Sequence, residues 1–292
     1  MKVHAHAKIN LFLRVIRKRP DGYHEIETLM CPIELHDTVR LSFNKNEISV
    51  SCTGPYIPDI PEGRENIARL AAARFFAATG KDGGVHIEIV KRIPAGAGLG
   101  GGSSDAAAVL SGLNNHYSRP LCNAELRRLA ATIGADVPFF ISCKPAVATG
   151  IGEILSPCPD LPSAHLVLVY PGCAVSTALV YKNLKIGLTK SKKINKKINF
   201  SPPGPDWGRS GYGRGYFQEY LHNDLEPVAT KICPLIADAK KRLLECNAQS
   251  ASMTGSGSAV FGLYSDPDKA GHAAAKLAGI NEWSVFLTRL MV

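Results

Sequence analysis

The stretch "IPAGAGLGGGSSDAAAVL", residues 93–110, places five glycines within seven positions and then becomes an alanine-rich run. Fixing the backbone of a glycine costs roughly 0.5–1 kcal/mol more than fixing alanine, so this density needs a physical reason. One reason is a flexible surface loop. Another is a backbone that adopts left-handed conformations and comes close to a ligand, where a Cβ would be in the way.

The residues after the glycines favour the second interpretation. Ser103, Ser104 and Asp105 are residue types preferred at helix N-caps, and residues 106–110 form a plausible first helical turn. The N–H groups and the positive dipole end of such a helix point back into the loop, which is an arrangement that binds phosphate. The sequence therefore predicts a phosphate-binding loop followed by a helix.

The composition is typical of a soluble globular protein. The chain has 292 residues, of which 45% are hydrophobic and 20% charged, and this length allows two domains. No apolar run reaches the roughly 18 residues that a membrane span requires. The first apolar run, residues 9–16, contains Arg14 and has no small-residue cleavage site after it. We expect a cytoplasmic protein that binds no membrane.

The net charge of +9 and the pI near 9.1 favour anionic partners. Much of the excess lies in residues 185–217, which mix lysine, proline and glycine without periodicity. We interpret this segment as a mobile connection, and an RNA-binding segment is the alternative. The eight cysteines include no C-x-x-C pair and therefore do not indicate a zinc or redox site.

Strands and helices are predicted to mix along the chain. A β-hairpin is expected over residues 7–30, with its turn at 20–22, and a helix over 66–80. The alternating segment 85–93 predicts a strand that leads into the glycine loop. Residues 135–143 are predicted to be extended, because a residue that precedes proline is biased away from helix.

The second half of the sequence also lacks a regular βαβ alternation, which favours an α+β fold. We expect two domains. Residues 1–158 would form an N-terminal domain that carries the glycine loop, and residues 159–292 would form a C-terminal domain.

Three kinds of phosphate loop compete for residues 93–110. A Walker A loop requires a lysine after its glycines, and this sequence has none. The dinucleotide fingerprint G-x-G-x-x-G is formally present as Gly96, Gly98 and Gly101, with Glu125 at a suitable distance, and would indicate a nicotinamide or flavin oxidoreductase. The preceding chain, however, is predicted to be a hairpin and not a parallel unit.

The third possibility fits a longer pattern. "PAGAGLGGGSSDAAA", residues 94–108, closely resembles the ATP-binding motif of the superfamily of galactokinase, homoserine kinase, mevalonate kinase and phosphomevalonate kinase (GHMP). Residues 7–30 and 253–264 resemble the first and third motifs of that superfamily, in the same order.

Further stretches narrow the resemblance to one family. "RPDGYHE", "GADVPFF" at 134–140, "PGCAVSTALVY" at 171–181 and "NDLE" at 223–226 are similar to segments of the 4-diphosphocytidyl-2-C-methyl-D-erythritol kinases. The resemblance runs from residue 7 to about residue 264, and residues 185–217 carry none of it.

The resemblance implies both a fold and a reaction. The fold would be an N-terminal ATP-binding domain, residues 1–158, like domain 2 of ribosomal protein S5, followed by a ferredoxin-like C-terminal domain, residues 159–292, that contributes to the substrate site. The reaction would be ATP-dependent phosphorylation of the 2-hydroxyl of 4-diphosphocytidyl-2-C-methyl-D-erythritol, in non-mevalonate isoprenoid biosynthesis. A homoserine- or mevalonate-type kinase is the alternative, which should lack the cytidine-binding aromatic residues. Mg²⁺ would arrive with ATP, and no acidic cluster identifies its ligands.

The resemblance also assigns roles to residues. Asp136 would take the proton of the attacking hydroxyl, with Lys8 as its partner. Lys8 lies between apolar neighbours on an early strand, where burying a lysine is costly unless it is paired. The implied ATP-binding residues are Pro94, Gly96, Gly98, Leu99, Gly100, Gly101, Gly102, Ser103, Ser104 and Asn66. The implied substrate-binding residues are Asn10, Tyr23, His24, Tyr181, Gly255 and Ser256.

One position departs from the motif. Asp105 occupies a place that often holds asparagine, which would put an extra negative charge close to the ATP phosphates.

Overall fold

Two long strands at the start of the chain confirm the predicted hairpin. Strand β1 (Lys2–Lys18) and strand β2 (His24–Asn44) are neighbours in one sheet. In the connecting turn, the Arg19 N–H donates to the Tyr23 carbonyl at 2.8 Å. Gly22 has φ +88°, a left-handed value that glycine adopts without the cost a side chain brings.

The computed structural model describes residues 1–44, 47–56, 66–158, 161–184, 221–280 and 282–292. The predicted connection at 185–217 lies outside these residues. The described chain divides into two units. Unit one comprises Met1–Lys8, Ile33–Ala95 and Leu99–Lys144; unit two comprises Ile9–Pro32, Gly96–Gly98 and Pro145–Val292. The predicted division of the chain at residue 158 is not tested by this grouping and stays a prediction.

Unit one packs helices on a sheet whose strand order is β3-β4-β2-β1. Strand β4 pairs antiparallel with β2 and parallel with β3. The remaining elements of this unit are β3 (Ile48–Thr53), α1 (Ile67–Thr79), β4 (Gly84–Val90), α2 (Gly101–His116), α3 (Asn123–Ala131) and α4 (Val137–Ser142).

The core of unit one follows the sequence pattern. Val85, Ile87 and Ile89 of β4 are buried in alternation, as predicted. Helix α1 begins after Asn66, whose side chain accepts the Ala68 N–H at 2.9 Å. This N-cap and a fully buried Phe75 fix the helix against its neighbours.

The prediction of an extended segment at residues 135–143 was wrong, because residues 137–142 form helix α4. Pro138 lies in the first turn of this helix, where a backbone N–H has no intrahelical partner to lose. The bias that proline imposes on Val137 is therefore outweighed by the burial of Phe139 and Phe140. Asp136 immediately precedes this helix.

Unit two contains a second, antiparallel sheet with the strand order β11-β7-β10-β9. Strands β7, β9, β10 and β11, together with the helices between them, follow the order βαββαβ, which confirms the expected ferredoxin-like fold. The elements of this unit are β5 (Ala146–Thr149), β6 (Ile154–Pro157), β7 (His165–Tyr170), α5 (Thr177–Asn183), β8 (His222–Asn223), α6 (Glu226–Ile232), α7 (Leu235–Glu245), β9 (Ser250–Met253), β10 (Val260–Tyr264), α8 (Pro267–Ala278) and β11 (Ser284–Arg289).

One hydrophobic cluster holds unit two together. The apolar stripe of α7, with Ile236 and Leu243, and that of α8, with Leu277, pack with Val167 and Val260 of the sheet. Short strand β8 runs parallel to β1, with Phe12 opposite His222. None of the helices in the described part of the chain is long and apolar enough to cross a membrane.

Helix α1 offers a direct test of the core. We expect Phe75→Ala to lower the free energy of unfolding by about 3–5 kcal/mol, because it opens a cavity among fully buried side chains. Leu70→Ala in the same helix, at a side chain that is 36% exposed, should cost less than about 1 kcal/mol. Urea unfolding of both variants measures the difference, and equal losses would contradict this description of the core.

Candidate functional site

The backbone of the glycine loop explains its composition. Gly96, Gly98 and Gly100 have φ values of +62°, +78° and +71°, a region that other residues enter only at a cost of about 1–2 kcal/mol. Close approach adds a second reason. In unit two, a Cβ on Gly98 would overlap the carbonyl oxygen of Thr254. In unit one, a Cβ on Gly100 would come within 2.9 Å of the Phe140 ring.

Helix α2 begins earlier than its sequence suggests. Gly100 is the N-cap residue, and the first intrahelical hydrogen bond runs from the Ser104 N–H to the Gly100 carbonyl at 2.9 Å. The prediction that Ser103, Ser104 or Asp105 caps the helix was therefore wrong, since all three lie inside its first two turns. The N–H groups of residues 100–103 precede the first intrahelical bond, which is the donor set an anion requires. Pro94 and Leu99 are buried.

Lys8 and Asp136 form an ion pair in unit one. The Lys8 ammonium lies 3.9 Å from Oδ2 of Asp136, and their side chains are 5% and 36% exposed. Burial lowers the pKa of Lys8, and the charge of Asp136 partly opposes this. Although Asp136 occupies the N-cap position of α4, its side chain makes no capping hydrogen bond. Its carboxylate therefore pairs with Lys8 and does not cap the helix.

The glycine loop is fastened to the strand that carries Lys8. The Lys8 N–H donates to the Leu99 carbonyl at 3.0 Å, and Gly100 lies against the Lys8 side chain. Close by, Gly102 of α2 approaches Ile67, the residue after Asn66. Unit one thus brings Lys8, the start of α2 and the Asp136 carboxylate together, with Asn66 at the start of the neighbouring helix.

A second buried lysine lies between two carboxylates. Lys91, at the end of β4, forms ion pairs with Asp37 of β2 and with Asp105 of α2, and its ammonium is 2.7 Å from Oδ2 of Asp105. Asp37 also accepts the backbone N–H groups of Arg92 and Ile93 at 2.5 and 2.9 Å. Lys91, which precedes the glycine loop, is therefore linked to Asp105 of helix α2, which follows the loop.

The charges of this triad do not balance when all three groups are ionised. Burial raises the pKa of Asp105 to about 7, with the negative charge of Asp37 adding to the shift and Lys91 opposing it. Although burial alone lowers the pKa of Lys91, the two carboxylates outweigh it and raise that pKa. Oδ1 of Asp105 is buried without a hydrogen-bond partner among the described residues. The carboxylate of Asp105, the residue that departs from the kinase motif, thus faces Lys91.

In unit two, Asn10 is held by two threonines. Its N–H donates to Oγ1 of Thr254 at 3.0 Å, and its side-chain amide donates to Oγ1 of Thr28 at 2.8 Å. The Thr28 hydroxyl in turn donates to the Phe12 carbonyl at 2.5 Å. Thr254 also lies 3.4 Å from the Gly98 carbonyl, so the third motif contacts both β1 and the glycine loop.

Gly255 and Ser256 form the bend between β9 and β10. Gly255 has φ +56°, and Oγ of Ser256 lies 2.7 Å from Oγ1 of Thr177 at the start of α5. The loop that joins the antiparallel strands β9 and β10 thus makes a specific polar contact with α5.

The aromatic residues expected at a cytidine site are brought together in part. The rings of His24 and Tyr181 stack with their centroids 5.0 Å apart. Burial and the charge of Lys18 lower the pKa of His24, which favours the neutral imidazole. The Tyr23 side chain is 61% exposed, and the described contacts do not join it to the other two rings.

Comparison with known proteins identifies the family. The model of the GHMP kinases N terminal domain matches residues 66–144, and that of the GHMP kinases C terminal domain matches residues 214–281. A 4-diphosphocytidyl-2-C-methyl-D-erythritol kinase of Syntrophotalea carbinolica is 44% identical over 283 residues, which cover 97% of this chain and 96% of the relative. The chain belongs to this kinase family.

Other comparisons agree with this membership. The kinase of the same name from Citrifermentans bemidjiense is 41% identical over 280 residues, with 96% of this chain and 95% of the relative covered. A crystal structure of 4-(cytidine 5'-diphospho)-2C-methyl-D-erythritol kinase matches with a TM-score of 0.77 at 37% identity, over 100% of both chains. Homoserine kinase from Cytophaga hutchinsonii, with a TM-score of 0.70 at 17% identity over 100% of this chain and 94% of that one, shares the fold.

The family membership favours the kinase interpretation of residues 93–110 over the dinucleotide fingerprint. Several residues that contact the motifs were not indicated by the sequence alone, above all Asp37, Thr28 and Thr177. Asp37 shares strand β2 with Glu25, Glu27 and Glu34, so the sequence does not indicate that it is the buried acid that needs a partner. The two threonines carry no signal, because they contact the motifs only through the tertiary fold.

Gly98 and Gly80 make a matched pair for testing the loop. Both have left-handed backbones, with φ of +78° and +60°, but a Cβ on Gly80 would meet nothing within 4 Å. We expect Gly98→Ala to weaken binding of an ATP analogue at least about tenfold, because the loop must move away from Thr254. Gly80→Ala should cost only about 1–2 kcal/mol of stability and leave nucleotide affinity unchanged. Titration calorimetry measures both, and wild-type affinity in Gly98→Ala would contradict the role of close approach.

The triad predicts a pH-dependent stability. Because the pKa of Asp105 is raised to about 7 on folding, the folded protein holds a proton that the unfolded chain loses near pH 4. The stabilisation from this group is therefore present at low pH and is lost as the pH rises towards 7. Asparagine does not titrate, so Asp105→Asn should gain stability relative to wild type between pH 5 and pH 8, by more than about 1 kcal/mol. Urea unfolding at both pH values tests this, and a pH-independent difference would refute it.

Proposed function

We propose that this protein transfers the γ-phosphoryl group of ATP to the 2-hydroxyl of 4-diphosphocytidyl-2-C-methyl-D-erythritol, in the non-mevalonate synthesis of isoprenoid precursors. The names of the relatives at 44% and 41% identity over nearly the whole chain support this substrate. The observation that carries the chemistry is the Lys8–Asp136 ion pair next to the glycine loop.

The proposed ATP site uses the loop and the start of α2. Phosphoryl transfer depends chiefly on positioning and on stabilising negative charge. The N–H groups of residues 100–103 supply donors at the positive end of a 16-residue helix. The residues proposed to bind ATP are Pro94, Gly96, Gly98, Leu99, Gly100, Gly101, Gly102, Ser103, Ser104 and, on the adenine side, Asn66.

Asp136 and Lys8 are the proposed catalytic residues. The Asp136 carboxylate accepts the proton of the acceptor hydroxyl as that oxygen attacks phosphorus. The Lys8 ammonium holds the same hydroxyl and lowers its pKa, since positive charge favours the developing alkoxide. The partial exposure of Asp136 supports its role as the base, because its carboxylate must reach the substrate.

The remaining predicted residues are proposed to bind the acceptor. Tyr23, His24 and Tyr181 would surround the cytosine, and stacking of His24 on Tyr181 is consistent with such a surface. Asn10, Gly255 and Ser256 would contact the polar part of the acceptor, supported by their links through Thr254.

Magnesium would be delivered with ATP. Within the described residues, no group of three or more His, Cys, Asp or Glu side chains is arranged to hold a metal ion. The proposed steps rest on Lys8, Asp136 and the loop. A cytoplasmic location and a division into domains at residue 158 are further parts of this proposal.

Replacement of Asp136 tests the reaction. We expect Asp136→Asn to lower kcat by about 10²–10⁴-fold, the usual contribution of a general base, with little change in ATP affinity. Asp238→Asn, an exposed ion-pair aspartate on α7, is the matched control and should retain wild-type turnover. The measurement is acceptor-dependent ADP release with magnesium and ATP, run beside a blank without acceptor.

Two results would contradict the proposal. Full activity of Asp136→Asn would exclude it as the base. Turnover by the wild-type protein with homoserine or mevalonate, and none with the cytidine-linked acceptor, would assign the protein a different substrate.

A further inference from the structure

Asn223 is a buried side chain to which the reaction gives no role. It lies in the short strand β8 and is 6% exposed. Its side-chain amide donates to the carbonyl oxygens of Met253 and Gly255 at 2.9 and 2.8 Å. Its side-chain oxygen accepts the Leu225 N–H at 2.9 Å. One side chain thus makes three hydrogen bonds to backbone.

The two carbonyls flank Thr254, the residue through which the third motif contacts the rest of the site. Oγ1 of Thr254 accepts the Asn10 N–H at 3.0 Å and lies 3.3 Å from the Asn10 side-chain oxygen. The same hydroxyl lies 3.4 Å from the Gly98 carbonyl. Asn223 therefore holds the backbone on both sides of a residue that contacts strand β1 and the glycine loop.

Two residues that follow Asn223, Asp224 and Glu226, accept hydrogen bonds from two different strands. Asp224 accepts the Val15 N–H of β1 at 2.7 Å. Glu226 accepts the Met253 N–H at 3.0 Å and forms an ion pair with Lys240. The segment 223–226 is consequently attached both to β1 and to β9, which makes it a rigid support for the bend.

The chemistry required at position 223 is narrow. The side chain must donate twice to carbonyls and accept once from an N–H, and asparagine does all three. Aspartate has nearly the same shape but no donor, so it would place a carboxylate against two carbonyl oxygens. Buried polar groups left without partners are costly, so such a substitution should move the bend.

We infer that Asn223 is a positioning residue that fixes the bend 253–257 and, through Thr254, the geometry of Gly98 in the nucleotide loop. This inference rests on the proposed function and extends it to a residue outside the proposed ATP and acceptor sites. It explains why "NDLE" stands in the sequence although none of its side chains belongs to the predicted site.

The test compares two buried asparagines. Asn114 is 5% exposed; its amide donates to the Leu121 carbonyl and its oxygen accepts the Leu121 N–H, both within unit one. We expect Asn223→Asp to raise the Kd for the non-hydrolysable analogue AMP-PNP about tenfold and to lower kcat at least tenfold. Asn114→Asp should lose comparable stability in urea and keep both values within about twofold of wild type.

A double-mutant cycle tests whether Asn223 acts through the bend. Thr254→Val removes the hydroxyl that contacts Asn10 and Gly98. If Asn223 acts through Thr254, its effect on the AMP-PNP Kd should shrink severalfold in the Thr254→Val background. Asn114→Asp and Thr254→Val should act independently, so the AMP-PNP Kd of the double variant should change by the product of the two single fold changes.

The outcomes separate this inference from the proposed function. Binding of AMP-PNP needs no acceptor, so a wild-type protein that binds it without phosphorylating the cytidine-linked acceptor refutes only the proposed substrate. Wild-type AMP-PNP affinity in a folded Asn223→Asp protein would overturn the inference, as would a Kd effect equal to that of Asn114→Asp. If Asn223→Asp does not fold, Asn223→Ser, which keeps one donor, replaces it, with the same Kd comparison and the same outcomes.

Discussion

The left-handed backbone of the glycine loop is the constraint on which the rest of the site depends. At Gly98 the backbone is both turned to a positive φ and pressed against the Thr254 carbonyl, so only glycine satisfies both conditions. At Gly100 the same two conditions recur, with Phe140 as the neighbour. Because the loop cannot relax outward at these positions, the first N–H groups of α2 keep a fixed direction, which is what an anion site requires.

Two buried lysines next to this loop are used in different ways. Lys91 is enclosed by two carboxylates and ties the loop's entrance to helix α2, a structural task. Lys8 forms an ion pair with Asp136, whose side chain is 36% exposed, and we propose that this pair acts on the acceptor. The carboxylates around Lys91 are buried whereas Asp136 is partly exposed, and in both places negative charge compensates a buried ammonium.

Much of this could be predicted from the sequence, and the failures have physical reasons. The hairpin, the buried alternation of β4 and the Asn66 cap follow from local patterns that tertiary contacts did not override. The N-cap of α2 was misplaced because Asp105 is drawn into the core by Lys91, a contact 14 residues away. Helix α4 was missed because a rule for residues before proline is weaker than the burial of two phenylalanines. The supports of the site, such as Asn223 and Thr177, act through tertiary contacts that no local pattern reveals.

The central claim is that the loop and the Lys8–Asp136 pair direct the γ-phosphoryl group of ATP to one hydroxyl of the acceptor. Phosphorus NMR of the reaction mixture, with proton–phosphorus correlation, tests this most directly. We expect a single new phosphomonoester on the 2-hydroxyl of the methylerythritol part, growing in step with ADP. Transfer to another hydroxyl, or release of orthophosphate as the main product, would contradict it.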